Sequence, residues 1–92
     1  MSTSALKPTP GHALYHSQLC GFCTRVLQAA RALGLELEVR DVDFEAGRRQ
    51  ELIVGGGKGQ VPCLRIERTD GSVSWLYESA DIARYLKEHF SG

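Results

Sequence analysis

The sequence has no net charge, since eleven Lys and Arg balance eleven Asp and Glu. It therefore lacks the long-range field that would draw it to nucleic acid or an anionic membrane, and neither is expected as a partner. No apolar run approaches the roughly 20 residues of a transmembrane helix. Met1 to Gly11 has neither an apolar signal-peptide core nor an Arg-rich amphipathic pattern. With Pro8, Pro10 and Gly11, this stretch reads as a short flexible lead to a soluble, cytoplasmic domain over residues 12–92. Internal repeats and low-complexity segments are missing as well. Cysteine is scarce: three residues cannot all pair within one chain, and Cys20 and Cys23 stand too close together to staple distant parts of a fold. A structural disulfide framework is thereby set aside. With 42% of 92 residues hydrophobic, the chain can build one core and has no room for a second domain.

What is present is a clear alternation of periods. Ala13-Leu14-Tyr15-His16 has the short apolar and aromatic character of a buried strand, and it runs directly into the cysteine pair. Cys23, Val26, Leu27, Ala30 and Leu33 then recur at helical spacing, with Gly34 where a left-handed cap is wanted. Leu35, Leu37 and Val39 alternate with Glu36, Glu38 and Arg40, as a half-buried edge strand does; after a crossover helix it should run parallel to the first. Asp43 is placed to cap a helix over Phe44 to Val54, which Gly55 to Gly59 ends. Val61 to Glu67 and Ser72 to Tyr77 form a hairpin through Thr69-Asp70-Gly71. Ser79 starts a last helix that buries Ile82, Ala83, Leu86 and Phe90. Trp75, Tyr77 and Phe90 read as core aromatics. The order is βαβαββα, an α/β domain with a four-stranded mixed sheet and three helices.

The cysteines fall at the first strand-to-helix junction. A thiol attacks a disulfide only as thiolate, and a free cysteine, with a pKa near ~8.5, is mostly protonated at neutral pH. At the first turn of a helix, unpaired N–H groups and the macrodipole favour the anion. Cys20 is placed to feel both, as nucleophile. Cys23, one turn on and beneath it, suits a resolving thiol. Gly21 supplies flexibility and Phe22 an apolar flank. Ordinary packed cysteines are the bland alternative, which the pairing at this junction disfavours. A zinc site needs more ligands, and Cys63, His12, His16 and His89 offer no second close-spaced pair, so no metal ligand is assigned.

Three motifs in order, Cys20-Gly21-Phe22-Cys23, Gln60-Val61-Pro62 and Glu78-Ser79-Ala80-Asp81-Ile82, make the sequence resemble a glutaredoxin from Ala13 to Phe90. The resemblance implies a thioredoxin-like fold, a cis Pro62 facing the cysteines, and a Val61 backbone free to pair with the cysteinyl part of glutathione. Gln60, Phe22 and Lys58 would complete that surface. Glu78 and Ser79 resemble the pair that glutathione transferases use for the γ-glutamyl end, where a helix N-terminus and a hydroxyl receive the carboxylate and an acid pairs with the amine. Asp81 stands close by, as a second acid or merely as a complement to the helix dipole. The implied activity is glutathione-dependent thiol-disulfide oxidoreduction on protein disulfides or glutathionylated substrates, by a monomer.

Three departures stand out. The lysine that many glutaredoxins carry three residues before the nucleophile is Ser17 here, leaving His16 or Lys58 to replace part of its charge. The central dipeptide is Gly-Phe, close to the CGFS proteins that hold a [2Fe-2S] cluster between two protomers, so a cluster carrier or sensor bound through Cys20 is the rival reading. The last motif is of transferase type; a complete transferase needs a helical second domain, which a sequence ending at Gly92 is expected to lack. A thioredoxin-like protein recycled without glutathione is the third reading, and Glu78-Ser79 argue against it. Cys63 reads as a packed small hydrophobe, with a regulatory thiol as the sharper alternative.

Overall fold

A computed structural model of the chain describes residues 6–90. Its elements are β1 (Lys7–His16), α1 (Gly21–Ala32), β2 (Leu35–Asp41), α2 (Arg48–Gly56), β3 (Cys63–Glu67), β4 (Val73–Tyr77) and α3 (Ser79–Phe90). The strand order is β2-β1-β3-β4, with β2 parallel and β3 antiparallel to β1, and β4 antiparallel to β3. This is the expected four-stranded mixed sheet with three helices. None of the helices among the described residues is long and apolar enough to cross a membrane.

Alternation along the central strand decides the layers, because successive side chains leave opposite faces of the sheet. Leu14 enters the larger core with Val26, Ala30, Leu35, Leu64, Ile82 and Leu86, under α1 and α3. Tyr15 enters the smaller one with Val42, Leu52 and Cys63, against which Trp75 and Tyr77 pack. Leu52 of α2 seals this second face. Gly55 and Gly56 let α2 approach β4 closely, since a Cβ on either would fall 2.1 Å from Trp75 Cζ2 or Tyr77 Oη.

Three boundaries differ markedly from those read in the sequence, and in addition α2 runs on through Gly55 to Gly56 and β4 begins at Val73 instead of Ser72. The flexible lead was expected to run to Gly11, with residues 1–5 lying outside the described residues; from Lys7 onward the chain is already strand. Two prolines are tolerated because this stretch pairs with β2 only at Lys7 and Pro8 before a bulge that extends to Ala13. Gly11 makes the bulge possible, with φ +80° and a backbone so close to Glu67 that a Cβ would lie 2.5 Å from its carbonyl oxygen. Second, α2 starts at Arg48 rather than Phe44, and Asp43 does not cap it; Gly47, left-handed at φ 83°, precedes it without any side-chain cap. The Asp41 carboxylate captures the N–H groups of Asp43 and Phe44 at 2.8 and 3.0 Å, so the chain turns there. Third, β3 begins after Pro62, at Cys63.

Candidate functional site

Sheet register gathers the site. Tyr15 pairs with Cys63 and Cys63 with Tyr77, so these three form one row across the sheet. The loop leaving β1, the segment preceding β3 and the residues following β4 therefore emerge at the same end. They carry Cys20, Val61-Pro62 and Glu78-Ser79, which lie 41 and 17 residues apart in sequence.

Cys20 is the N-cap of α1, with extended backbone (φ −105°, ψ 116°), and its sulfur makes no capping bond to the first turn. The loop before it is shaped by Ser17, whose carbonyl accepts the Cys20 N–H at 3.1 Å. The thiol instead points at the Val61 carbonyl oxygen, 3.9 Å away, and the Val61–Pro62 peptide is cis. Nothing lies within 4 Å of where a Gly21 side chain would begin, so packing does not demand glycine there. Leu19 is 93% and Phe22 59% exposed beside the thiol. The Arg25 guanidinium lies over the Phe22 ring, 5.8 Å from its centroid.

Cys23 lies one turn on and is wholly buried. Burial above all, then the neighbouring Cys20 and Asp43, push its thiol up to about 12, against a hydrogen bond from the Ser17 backbone that lowers it. Both cysteines are free thiols. Cys63 is also fully buried, on the α2 side of the sheet, and burial pushes its thiol up to about 11, opposed by contact with Tyr77 and by the Lys58 charge.

The residues expected to meet glutathione divide. Glu78 is exposed and holds φ 76°, a left-handed conformation unusual outside glycine, and its carbonyl accepts the Ile82 N–H at 3.0 Å to open α3. Ser79 is the first residue of α3 and is half-buried. Asp81 turns to Arg84 at 2.6 Å, which gives it a partner within its own helix. Lys58 is exposed, with its ammonium 5.0 Å from the Tyr77 ring centroid and its carbonyl accepting the Tyr77 hydroxyl at 3.0 Å; it thus leans on β4 next to Glu78. Gln60 is exposed in the same segment. His16 is buried with Nδ1 unpartnered. Among the described residues no group of three or more His, Cys, Asp and Glu side chains could hold a metal ion.

Sequence reasoning missed the support behind the cysteines. Ser17 Oγ donates to Asp43 Oδ2 at 2.5 Å and accepts the Leu19 N–H at 3.2 Å. Arg49 of α2 holds the same carboxylate at 2.8 Å. Asp43 was legible as a helix-capping type, but nothing local in the sequence signals a partner 26 positions away.

A strand-to-helix cysteine pair facing a cis-proline on a four-stranded mixed sheet defines the thioredoxin-like class of domain. Within it, the family profile described as glutathione S-transferase, N-terminal domain, matches residues 19–89. The chain belongs to that family. Solved structures similar to it include a delta-class glutathione transferase of Nilaparvata lugens (30% identity, TM-score 0.68, 88% of this chain and 37% of that one). The trimeric Leishmania glutathione transferase TDR1 is similar at 28% identity and TM-score 0.70, over 87% of this chain and 18% of that one. So is a maleylacetoacetate isomerase of Anaeromyxobacter dehalogenans with glutathione in its active site (28%, TM-score 0.64, 86% and 37%). The chain spans less than two fifths of the length of each. No curated protein sequence matches it significantly.

Proposed function

We propose that the chain is a glutathione-dependent thiol-disulfide oxidoreductase, with Cys20 as nucleophile and Cys23 as resolving thiol. The observation that carries this reading is the placement of Cys20 at the N-cap of α1, its sulfur aimed at the Val61 carbonyl, with Cys23 buried one turn further along the same helix. Family membership supports glutathione as the thiol partner. Its cysteinyl backbone would pair with Val61 beside Pro62, and its γ-glutamyl end would meet Glu78 and Ser79 on the α3 N-terminus. Gln60, Phe22 and Lys58 would line the approach; Asp81, already paired, would add only background charge.

In the reaction the Cys20 thiolate attacks a disulfide sulfur, forming a mixed disulfide and releasing the other sulfur as a thiolate that takes a proton from water. Two exits follow. A glutathione thiolate attacks the glutathione sulfur of the adduct, giving glutathione disulfide and restoring Cys20. Alternatively Cys23 loses its proton and attacks Cys20 Sγ, the bond to glutathione breaks, and an internal disulfide forms that two further glutathiones reduce. Electrons balance in both routes.

A second reading is favoured by the transferase-type Glu78-Ser79 pair and the family match: glutathione binding for transfer chemistry, with the Cys20 thiol beside the bound tripeptide. One assay separates the two. The protein is supplied with glutathione, glutathione reductase and a small mixed disulfide, alongside Cys20→Ser and Cys23→Ser. Turnover lost in Cys20→Ser and largely kept in Cys23→Ser is the expected outcome. Full activity in Cys20→Ser would sink the oxidoreductase reading, and glutathione binding without turnover would favour the second. Among the described residues no feature of the site's geometry specifically favours the [2Fe-2S] reading.

A further inference from the structure

We propose that the end of the sheet away from the cysteines carries a binding site of its own, a cavity between the β3–β4 turn and the last turns of α3 that takes a small aromatic carboxylate. Sheet register builds it. His12 pairs with Ile66 and Ile66 with Ser74, so the three form a row whose side chains share one face, the face on which Ile66 meets Ile82 and Leu86 of α3. This row lies three residues along each strand from that of Tyr15, Cys63 and Tyr77, roughly 10 Å away. Beside it opens a cavity of about 380 Å³ bounded by Pro10, His12, Ile66, Arg68, Tyr85 and His89. A volume of that size suits one small molecule. The rings of Tyr85 and His89 lie 5.1 Å apart and within 12° of parallel, and with Pro10 and Ile66 they make the walls mainly apolar.

The polar groups of the cavity are fixed in place, and its cation has no counter-charge. Arg68 donates through Nη1 to the hydroxyl of Ser74, the last member of the row, which holds the guanidinium over the cavity and leaves its Nε and Nη2 without a partner among the described residues. That free edge is the fork that receives a carboxylate through two parallel hydrogen bonds. The acids nearby are engaged elsewhere, Glu67 by Arg65 at 3.0 Å and Asp70 by the N–H and hydroxyl of Ser72. On the β2 side Glu38 is held by Arg40, and Glu36 borders a separate cleft beyond His12. The Pro10 carbonyl can only accept, so neutral His12 carries its proton on Nδ1 and takes the Tyr85 hydroxyl on Nε2, which fixes both rings as wall. An inorganic anion would leave the apolar walls unused, and a neutral ring would leave the guanidinium edge unpaired. A ring bearing one carboxylate meets both. This cavity shares no residue with the thiol site, so its occupancy is independent of the glutathione reading.

The test is titration of the full chain with naphthoate, with its neutral amide and with inorganic phosphate, followed in NMR spectra through the imidazole signals of His12 and His89 and the backbone amides of Cys20 and Gly21. The expected outcome is a saturable shift of both imidazoles with naphthoate, with the amide and phosphate binding about tenfold or more weakly, as loss of a charge-assisted pair or of apolar contact implies. Arg68 is exposed, so Arg68→Gln should fold and weaken naphthoate binding to the same degree. Arg68→Lys should recover only part, because an ammonium lacks the fork. Absence of a saturable imidazole shift, equal affinity for the amide or for phosphate, or full affinity in Arg68→Gln would each overturn the proposal. So would shifts confined to Cys20 and Gly21, which would place the probe at the thiol end instead.

Discussion

Three thiols of one chain sit in three different surroundings. Cys20 is partly open at a helix end, Cys23 is sealed beneath it, and Cys63 is sealed on the other face of the sheet between Tyr15, Leu52 and Tyr77. Burial disfavours the anion, so reactivity should follow exposure and not proximity in sequence. Native protein treated with iodoacetamide near neutral pH should be modified at Cys20, with Cys63 reacting only on unfolding. Peptide mapping by mass spectrometry checks this, and early labelling of Cys63 would restore the regulatory role that its burial argues against. Cys20, Val61, Pro62, Glu78 and Ser79 were legible in the sequence because each belongs to a short local pattern. Ser17 with Asp43 was not, because a serine in a loop and an aspartate before a helix each have a local use, and only the three-dimensional path pairs them.

Element by element, amphipathic period sufficed where a face is buried along its length. Of the residues of α1 and α3 that recur at helical spacing, Val26, Ala30, Ile82 and Leu86 enter the main core and Leu27, Leu33 and Phe90 pack against it, whereas Cys23 is buried apart from it and Ala83 is only half-buried. It failed for α2, which buries only Leu52 and leaves Ile53 and Val54 exposed, so its start depends on loop hydrogen bonds and on Gly47. It failed too at the start of β1, where prolines argue against a strand that the bulge at Gly11 rescues. The docking of α2 on β4 rests on shape. Gly55→Ala gains helix propensity of about 1 kcal/mol but drives a methyl into Trp75 at 2.1 Å, an overpacking that costs about 1–3 kcal/mol or more. The expected net result is a Tm lower by several degrees in thermal denaturation; a higher Tm would mean that Trp75 swings aside freely.

At the scale of the whole molecule, the two ends of the sheet have different chemistry. The cysteines occupy one; the other carries His12, 7% exposed, whose Nδ1 lies 2.9 Å from the Pro10 carbonyl and whose Nε2 lies 2.8 Å from the Tyr85 hydroxyl. His89 and Phe90 of α3 pack their rings on it. Burial first, with the nearby His89 adding to it, holds the His12 pKa below its ordinary value of 6.5. The folded protein therefore binds a proton less readily than the unfolded chain, and stability present above about pH 6.5 is lost as the pH falls through the window below it. Thermal denaturation of the protein and of His12→Gln between about pH 7 and 5 should show a steeper acid loss for the former. Parallel slopes would remove His12 as the cause.

Glu78 bears two demands that no single residue meets best. Its backbone occupies a region where glycine would be at ease, at an expected cost of about 1–3 kcal/mol for a side-chain-bearing residue, while glutathione capture would need a carboxylate at that point. Selection for heat resistance alone would push this position towards glycine, and selection for affinity would push it back. Position 78 is accordingly where improving the durability of this domain and improving the proposed grip on glutathione would pull against each other.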